Sequence, residues 1–442
     1  MSSQSQASAG NGGLVHNRWL QLIAGVLAMM VISNYQYGFT LFTPGIKATF
    51  ADVPYPKIAA IFSIFILFET WPVPVAGYLA DKFGIRKLMT VGAILILLGW
   101  FLGGTIASSV FELYIYYGAL AGTGAGIIYI SCVANAVKWF PDRRGLAAGL
   151  TAAGFGGGAA LTIIPIAHSI SSLGWGRTMA VWGVGQGIVA IIAAMILRHP
   201  PQGWAPANWV PKKSGPVQSR TQYKWQQVLQ RPAFWLLYLM FVFEVVGGLM
   251  ATANLSQIAR SLDVSKAVVF GVALVPFTAT LTAIFNAAAR IVWGAVSDRL
   301  GRENTMTIIF AFEGVLMFLV TLTAGHPLAF VAAYSFVFLF WGEIYALFSA
   351  ATGDFFGAKN ASANYGVLYT AKGVGSILAG YGAAFLAAYF SGSFAVPFYL
   401  SALQCLIAAF LAFFALKPLV RRQIAREAEA APAATAPAAA RA

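Results

Sequence analysis

Two cations interrupt otherwise apolar stretches of this chain. Arg290 lies in the run Val268 to Val296 and Lys372 in the run Tyr365 to Leu386. A charge at bilayer depth costs about 2.5–3.5 kcal/mol on insertion scales, so a chain keeps one where a counter-charge or a function holds it. Arginine offers a planar fork that suits a carboxylate, and lysine a point charge. At similar depth the two could hold both ends of a short dicarboxylate, or one carboxylate strongly. A buried ion pair with an acidic neighbour is the alternative reading. Tyr37, Tyr129, Phe155, Trp341, Tyr345 and Tyr369 fall at the same depth. Such a set is more often packing than a site, but around two cations it would exclude bulky or cationic solutes, and tyrosine hydroxyls donate to carboxylates. Four acids also lie in apolar runs: Glu69, Glu244, Glu313 and Glu343. Glu343, two residues from Trp341 and from Tyr345, is expected to neutralise one of the cations or to carry a proton. Glu313 is expected in a structural pair, and Glu69 and Glu244 stay open.

Other chemistry is not signalled. There is no phosphate-binding glycine loop and no nucleophile with a paired base, so an enzyme is not expected. His16, His168, His199 and His326 are scattered without metal-ligand spacing, and no metal or cofactor is expected. Cys132 and Cys405 read as packing thiols.

The elements that must position these residues are membrane helices. Of 442 residues 59% are hydrophobic and 10% charged, and the apolar ones come in long blocks. A span needs roughly 20 apolar residues. Twelve are expected, at 19–42, 57–80, 88–107, 112–138, 144–169, 175–197, 232–258, 267–297, 305–324, 328–351, 362–388 and 393–416. With both termini cytoplasmic, 21 of the 28 basic residues fall on the inner side and five on the outer, the remaining two being Arg290 and Lys372. This asymmetry predicts a multi-pass protein of the cell (inner) membrane with cytoplasmic termini. It also accounts for the net charge of +14 through the inner leaflet, without nucleic acid.

Gly77 to Lys87, after the second span, aligns without a gap on Gly294 to Arg302, after the eighth, at an offset of 217 residues. A repeat of about half the chain gives two six-helix halves. The expected organisation is a disordered tail at 1–17, a first bundle at 18–197, a cytoplasmic linker at 198–231, a second bundle at 232–417 and a disordered tail at 418–442. The motif Gly77, Asp81, Gly84, Arg86, Lys87, with its second copy at Gly294, Asp298, Gly301 and Arg302, resembles the signature loop of the major facilitator superfamily. The resemblance covers nearly the whole chain. It implies an all-α membrane protein of two pseudo-symmetric bundles, with Asp81, Arg86, Lys87, Asp298 and Arg302 as gating loops. A carboxylate there can meet a helix N-terminus or an arginine across the seam and be released. A charge cluster that only sets topology is the plainer alternative.

Asn17-Arg18-Trp19, Trp139 to Ala147, Trp341-Gly342, Tyr345 to Phe348 and Asn364-Tyr365-Gly366 look like the oxalate/formate antiporter branch of that superfamily. The branch implies an essential cation pair at Arg290 and Lys372 and cavity aromatics at Tyr37, Tyr129, Trp341 and Tyr345. Phe155 stands where the branch has Tyr, and Tyr369 where it has Trp, which bears on the exact substrate. The expected function is secondary transport of small organic anions such as oxalate or formate by alternating access, with a single chain as the working unit. Two uncompensated cations would resist closure of an unloaded carrier, which favours exchange. A proton-coupled monocarboxylate symporter is the alternative. A non-transporting sensor would usually carry a further soluble domain, and no segment here has that length.

Overall fold

A computed structural model describes residues 17–201, 204, 206, 219 and 221–430. Among them twelve helices are long and apolar enough to cross a membrane: Arg18–Tyr37, Tyr55–Ala76, Ile85–Thr105, Val110–Trp139, Leu146–Leu173, Trp175–Ile196, Pro232–Ser261, Leu274–Leu300, Arg302–Thr321, Pro327–Phe356, Ala361–Tyr389 and Ala395–Glu427. They match the expected spans one for one. The eighth begins later than expected. Val268–Val269 and Val272–Ala273 pair as a short antiparallel hairpin, Val268 against Ala273 and Val269 against Val272. Phe270 and Gly271 both adopt positive φ at its tip, a conformation that suits a hairpin turn and stops a helix from starting there. The chain is also helical at Lys417–Ala430, where a disordered tail from 418 is expected. There the Glu427 carboxylate accepts from Tyr223 Oη at 2.8 Å and from Ser219 Oγ at 2.5 Å. Those contacts hold the linker's end and the last helix against each other.

Each half builds its own interior. Trp100, Tyr35 and Tyr117 pack at ring separations of 4.1 and 5.9 Å in the first. Tyr334, Phe338 and Trp341 do so at 6.1 and 5.4 Å in the second. Large apolar side chains such as Val181, Ile188, Phe410 and Phe414 stay exposed on the outside, as lipid-facing positions do. Across the seam the second span packs on the eleventh, the fifth on the eighth and the first on the seventh.

Several helices are interrupted where the seam is polar. The first span ends at Gly38 and resumes as Phe39–Thr49. The second breaks at Trp71, before Pro72. The fifth tightens to a 3-10 turn at Gly158–Leu161, the eleventh widens to a π turn at Leu378–Gly382, and the tenth breaks between Trp341 and Ile344. Irregular backbone at membrane depth is tolerated where protein or a polar cavity satisfies it.

Candidate functional site

Lys372 and Arg290 approach the seam from the eleventh and eighth spans and are 0% and 3% exposed. The Lys372 ammonium donates to Glu69 Oε2 at 2.8 Å, to Gln36 Oε1 at 2.9 Å and to Tyr369 Oη at 3.3 Å. Glu69 and Gln36 belong to the first half and Lys372 to the second, so this ion pair bolts the seam at mid-depth. Glycine sets it there. A Cβ on Gly126 of the fourth span would collide with the Glu69 carbonyl, and one on Gly373 would lie 2.5 Å from Thr70 Oγ1. The bare backbones let both helices close on the second span.

The Arg290 guanidinium has no carboxylate partner among the described residues. Its Nη1 donates to the Ala152 carbonyl of the fifth span at 2.7 Å, and Nε and Nη2 to Asn286 Oδ1 at 3.3 and 3.2 Å. Gly156 makes the crossing possible, since a Cβ there would lie 3.0 Å from Arg290 Nε and clash with Asn286 Oδ1. One ring sees both cations: Arg290 Cζ is 5.1 Å and Lys372 Nζ 5.3 Å from the Tyr345 centroid, within cation–π range.

The six expected aromatics form an unbroken chain of buried rings. Tyr37 meets Phe155 at 5.8 Å, Phe155 meets Tyr129 at 5.4 Å, and Tyr129 stacks on Tyr369 at 5.3 Å. Tyr369 meets Tyr345 at 6.2 Å, and Tyr345 meets Trp341 at 5.5 Å. The hydroxyls of Tyr37 and Tyr345, Trp341 Nε1, Gln36 Nε2 and Asn286 Nδ2 are buried without a hydrogen-bond partner. Buried donors left unmade are costly, and here they gather with two cations. Acceptor oxygens placed among them would satisfy these donors.

Glu343 sits at the break in the tenth span, fully buried, with neither carboxyl oxygen hydrogen-bonded. Its expected ion pair is absent in this conformation. Glu69 holds Lys372 instead, because the second span reaches the ammonium directly while the tenth turns Glu343 toward Gly294 of the eighth. Lys372 is therefore not the uncompensated charge expected from the sequence. At the face bearing both termini Asp298 pairs with Arg302 at 2.8 Å, and Arg302 also reaches Asp354 at 2.8 Å. Arg86 donates to the Met195 carbonyl at 2.7 Å, and Lys87 is exposed. The Asp81 side chain lies outside the described residues.

Gln36 and Asn286 escaped the sequence reading, and Glu69 was left open there. A signal existed for two of them. The 217-residue offset that relates the signature loops carries Glu69 onto Asn286, and each of the two holds one of the cations. The same offset lays Val110–Trp139 on Pro327–Phe356 end to end and sets Phe155 opposite Lys372.

The comparisons with known proteins agree with this architecture. The family model described as Major Facilitator Superfamily matches residues 21–380 and 247–441. The "Oxalate:formate antiporter" of Oxalobacter formigenes is 34% identical over 412 residues, 92% of this chain and 94% of that protein. An uncharacterized transporter of Escherichia coli (strain K12), YhjX, is 28% identical over 81% of this chain and 86% of its own length. A crystal structure of a D-xylose-proton symporter superposes with a TM-score of 0.69 over 90% of this chain and 97% of that one, at 10% identity, a likeness of fold alone. With twelve membrane helices in two bundles and these matches, the chain belongs to the major facilitator superfamily, in the branch that the oxalate:formate antiporter represents.

Proposed function

We propose that the protein carries small carboxylates across the cell membrane by alternating access, exchanging anions of the oxalate or formate type, with both termini in the cytoplasm. The observation that carries this reading is the convergence of Arg290, Lys372 and five unpartnered donors on one buried aromatic cage. Every one of those groups complements an anion. An incoming carboxylate takes the Arg290 fork and competes with Glu69 for Lys372. When it wins, the cross-seam pair opens and the halves are free to rock. Asp298 and Arg302, with Asp81, Arg86 and Lys87, gate the cytoplasmic side.

Glu69 also sets the charge balance. Arg290 and Lys372 against Glu69 leave one net positive charge. A monocarboxylate balances it outright. A dianion balances it once an acid nearby takes up a proton. Glu343, buried at the break in the tenth span with neither oxygen bonded, supports proton-coupled monocarboxylate symport as the second reading.

Counterflow in proteoliposomes separates them. Labelled oxalate or formate entering against unlabelled acid, with no pH gradient, is the result expected of an exchanger. Uptake that stops when the gradient is collapsed, and that loses its pH dependence in Glu343→Gln, selects the symporter. Flux of organic acid that survives loss of both Arg290 and Lys372 rules out both.

A further inference from the structure

A second titratable cluster lies away from the central site, inside the second half. Glu244 of the seventh span, Glu313 of the ninth and Cys405 of the twelfth bring their carboxyl and thiol atoms within 4.8 Å of one another. All three residues are 0% exposed. Neither carboxyl has a hydrogen-bond partner on either oxygen. No cation faces them among the described residues. On the helices packed around the seventh span, Lys372 is held by Glu69 and Arg290 by Ala152 and Asn286. The Tyr334 and Tyr55 hydroxyls go to the Ala251 carbonyl and to Asn254.

Two ionised carboxylates this close, in apolar surroundings and without a counter-charge, would repel each other at full strength and forgo hydration. The packing holds only if protons neutralise them. We propose that Glu244 and Glu313 form a proton-binding site in which each carboxyl holds a proton, and that this site controls the seventh span. It stands apart from the carboxylate reading of the central cage.

The mechanical link is short. One turn before Glu244, Phe241 stacks on Phe348 at 4.5 Å and meets the rings of Tyr345 and Tyr369 at 6.1 and 6.4 Å. One turn after it, Gly248 lies so close under the Trp341 indole that a Cβ could not fit. Gly247 turns toward Glu313, whose Oε1 would stand 3.4 Å from a Cβ placed there. Residues three and four apart share one side of a helix, so Glu244 stands on the seventh span directly beside the Phe241 and Gly248 positions that meet the cage rings. Loss of both protons places two like charges between the seventh and ninth spans and pushes them apart, which disorders Phe241 and Trp341.

A divalent metal would need a fourth donor and ionisation of all three groups, so the proton is the better ligand. The test uses the full-length protein in lipid. Infrared difference spectra of wild type, Glu244→Gln and Glu313→Gln at neutral pH should show a protonated-carboxyl stretch, sensitive to deuterium oxide, that each variant weakens. Transport by wild type should fall as pH rises, and both variants should hold their activity further into the alkaline range. Glutamine keeps the shape without the charge, so either variant alone suffices. Loss of carboxylate bands rather than the protonated-carboxyl band in the variants overturns the proposal. So does a pH profile that both variants leave unmoved, or stoichiometric zinc that disappears in Glu244→Gln.

Discussion

Glu69 decides how the two cations behave. Its carboxylate already occupies Lys372, whereas Arg290 rests on neutral acceptors. The cations should therefore fail differently when changed. Arg290→Lys keeps the charge and loses the planar fork, so carboxylate flux in proteoliposomes should fall at least ~10-fold, the size expected when a bidentate contact becomes a single one. Lys372→Gln leaves Glu69 buried and unpaired, and a lost buried partner costs roughly 3–5 kcal/mol. That variant should lower thermal stability in detergent as well as flux. Glu69→Gln removes the internal competitor. Its expected result is tighter binding of a dicarboxylate, read as a several-fold fall in the inhibition constant, with slower turnover because no carboxylate then competes the anion off Lys372. An unchanged constant would separate Glu69 from the substrate. Sequence alone made Arg290, Lys372 and the six rings visible, since each is an oddity of type at a legible depth. It left Glu69 undecided because Glu244, another lone acid in an apolar run, carries the same local signature. Only packing shows which acid reaches a cation.

Among the elements, the spans that build the cage are mostly the interrupted ones. Gly38, Trp71, Gly158–Leu161, the Trp341–Ile344 break and the π turn at Leu378–Gly382 belong to five spans of the cage. A broken helix frees backbone groups and re-aims neighbouring side chains, as at Glu343, while the unbroken eighth span holds Arg290 on a rigid rod. Close glycine approaches supply the second device. Gly126→Val puts a branched side chain against the Glu69 backbone, and overpacking of this kind costs typically about 1–3 kcal/mol. Its expected signature is a lower melting temperature together with weaker anion binding, since the second span must retreat and take Glu69 along. Gly149 has no such neighbour, so Gly149→Ala should be silent in the same two measurements. Span count and order were readable from hydropathy. The breaks were not, because Pro72 and Gly342 resemble many residues that membrane helices absorb without interruption. The late start of the eighth span was equally hidden, because the strands at Val268 and Val272 are as apolar as the helix that follows.

For the molecule as a whole, the seam is tied at mid-depth and at the face opposite the termini. Ser256 Oγ donates to the Thr40 carbonyl at 2.8 Å, Tyr55 Oη to Asn254 Oδ1 at 3.0 Å, and Ser63 Oγ to the Ser376 carbonyl at 2.7 Å. This is the arrangement of a carrier shut on that side. A disulfide between Thr40→Cys and Ser256→Cys, in a background lacking Cys132 and Cys405, should arrest flux, and reduction should restore it. Free exchange through the cross-linked protein would show that this face need not open. The two-bundle plan was legible from one motif and its copy. The fastening at that face was not, since it rests on serines, a threonine, a tyrosine and an asparagine that carry no distinctive pattern. One last consequence comes from Ser219 and Tyr223, which are moored on the second half through Glu427, Asp354 and Phe356. On the other side Trp204 is moored on the first half through the Trp139 carbonyl, and contacts across the seam, rather than the stretch between Trp204 and Ser219, align the bundles. Two separate polypeptides, divided in that stretch and expressed together, should find each other in the membrane and regain flux, as partners that recognise one another by surface rather than by tether.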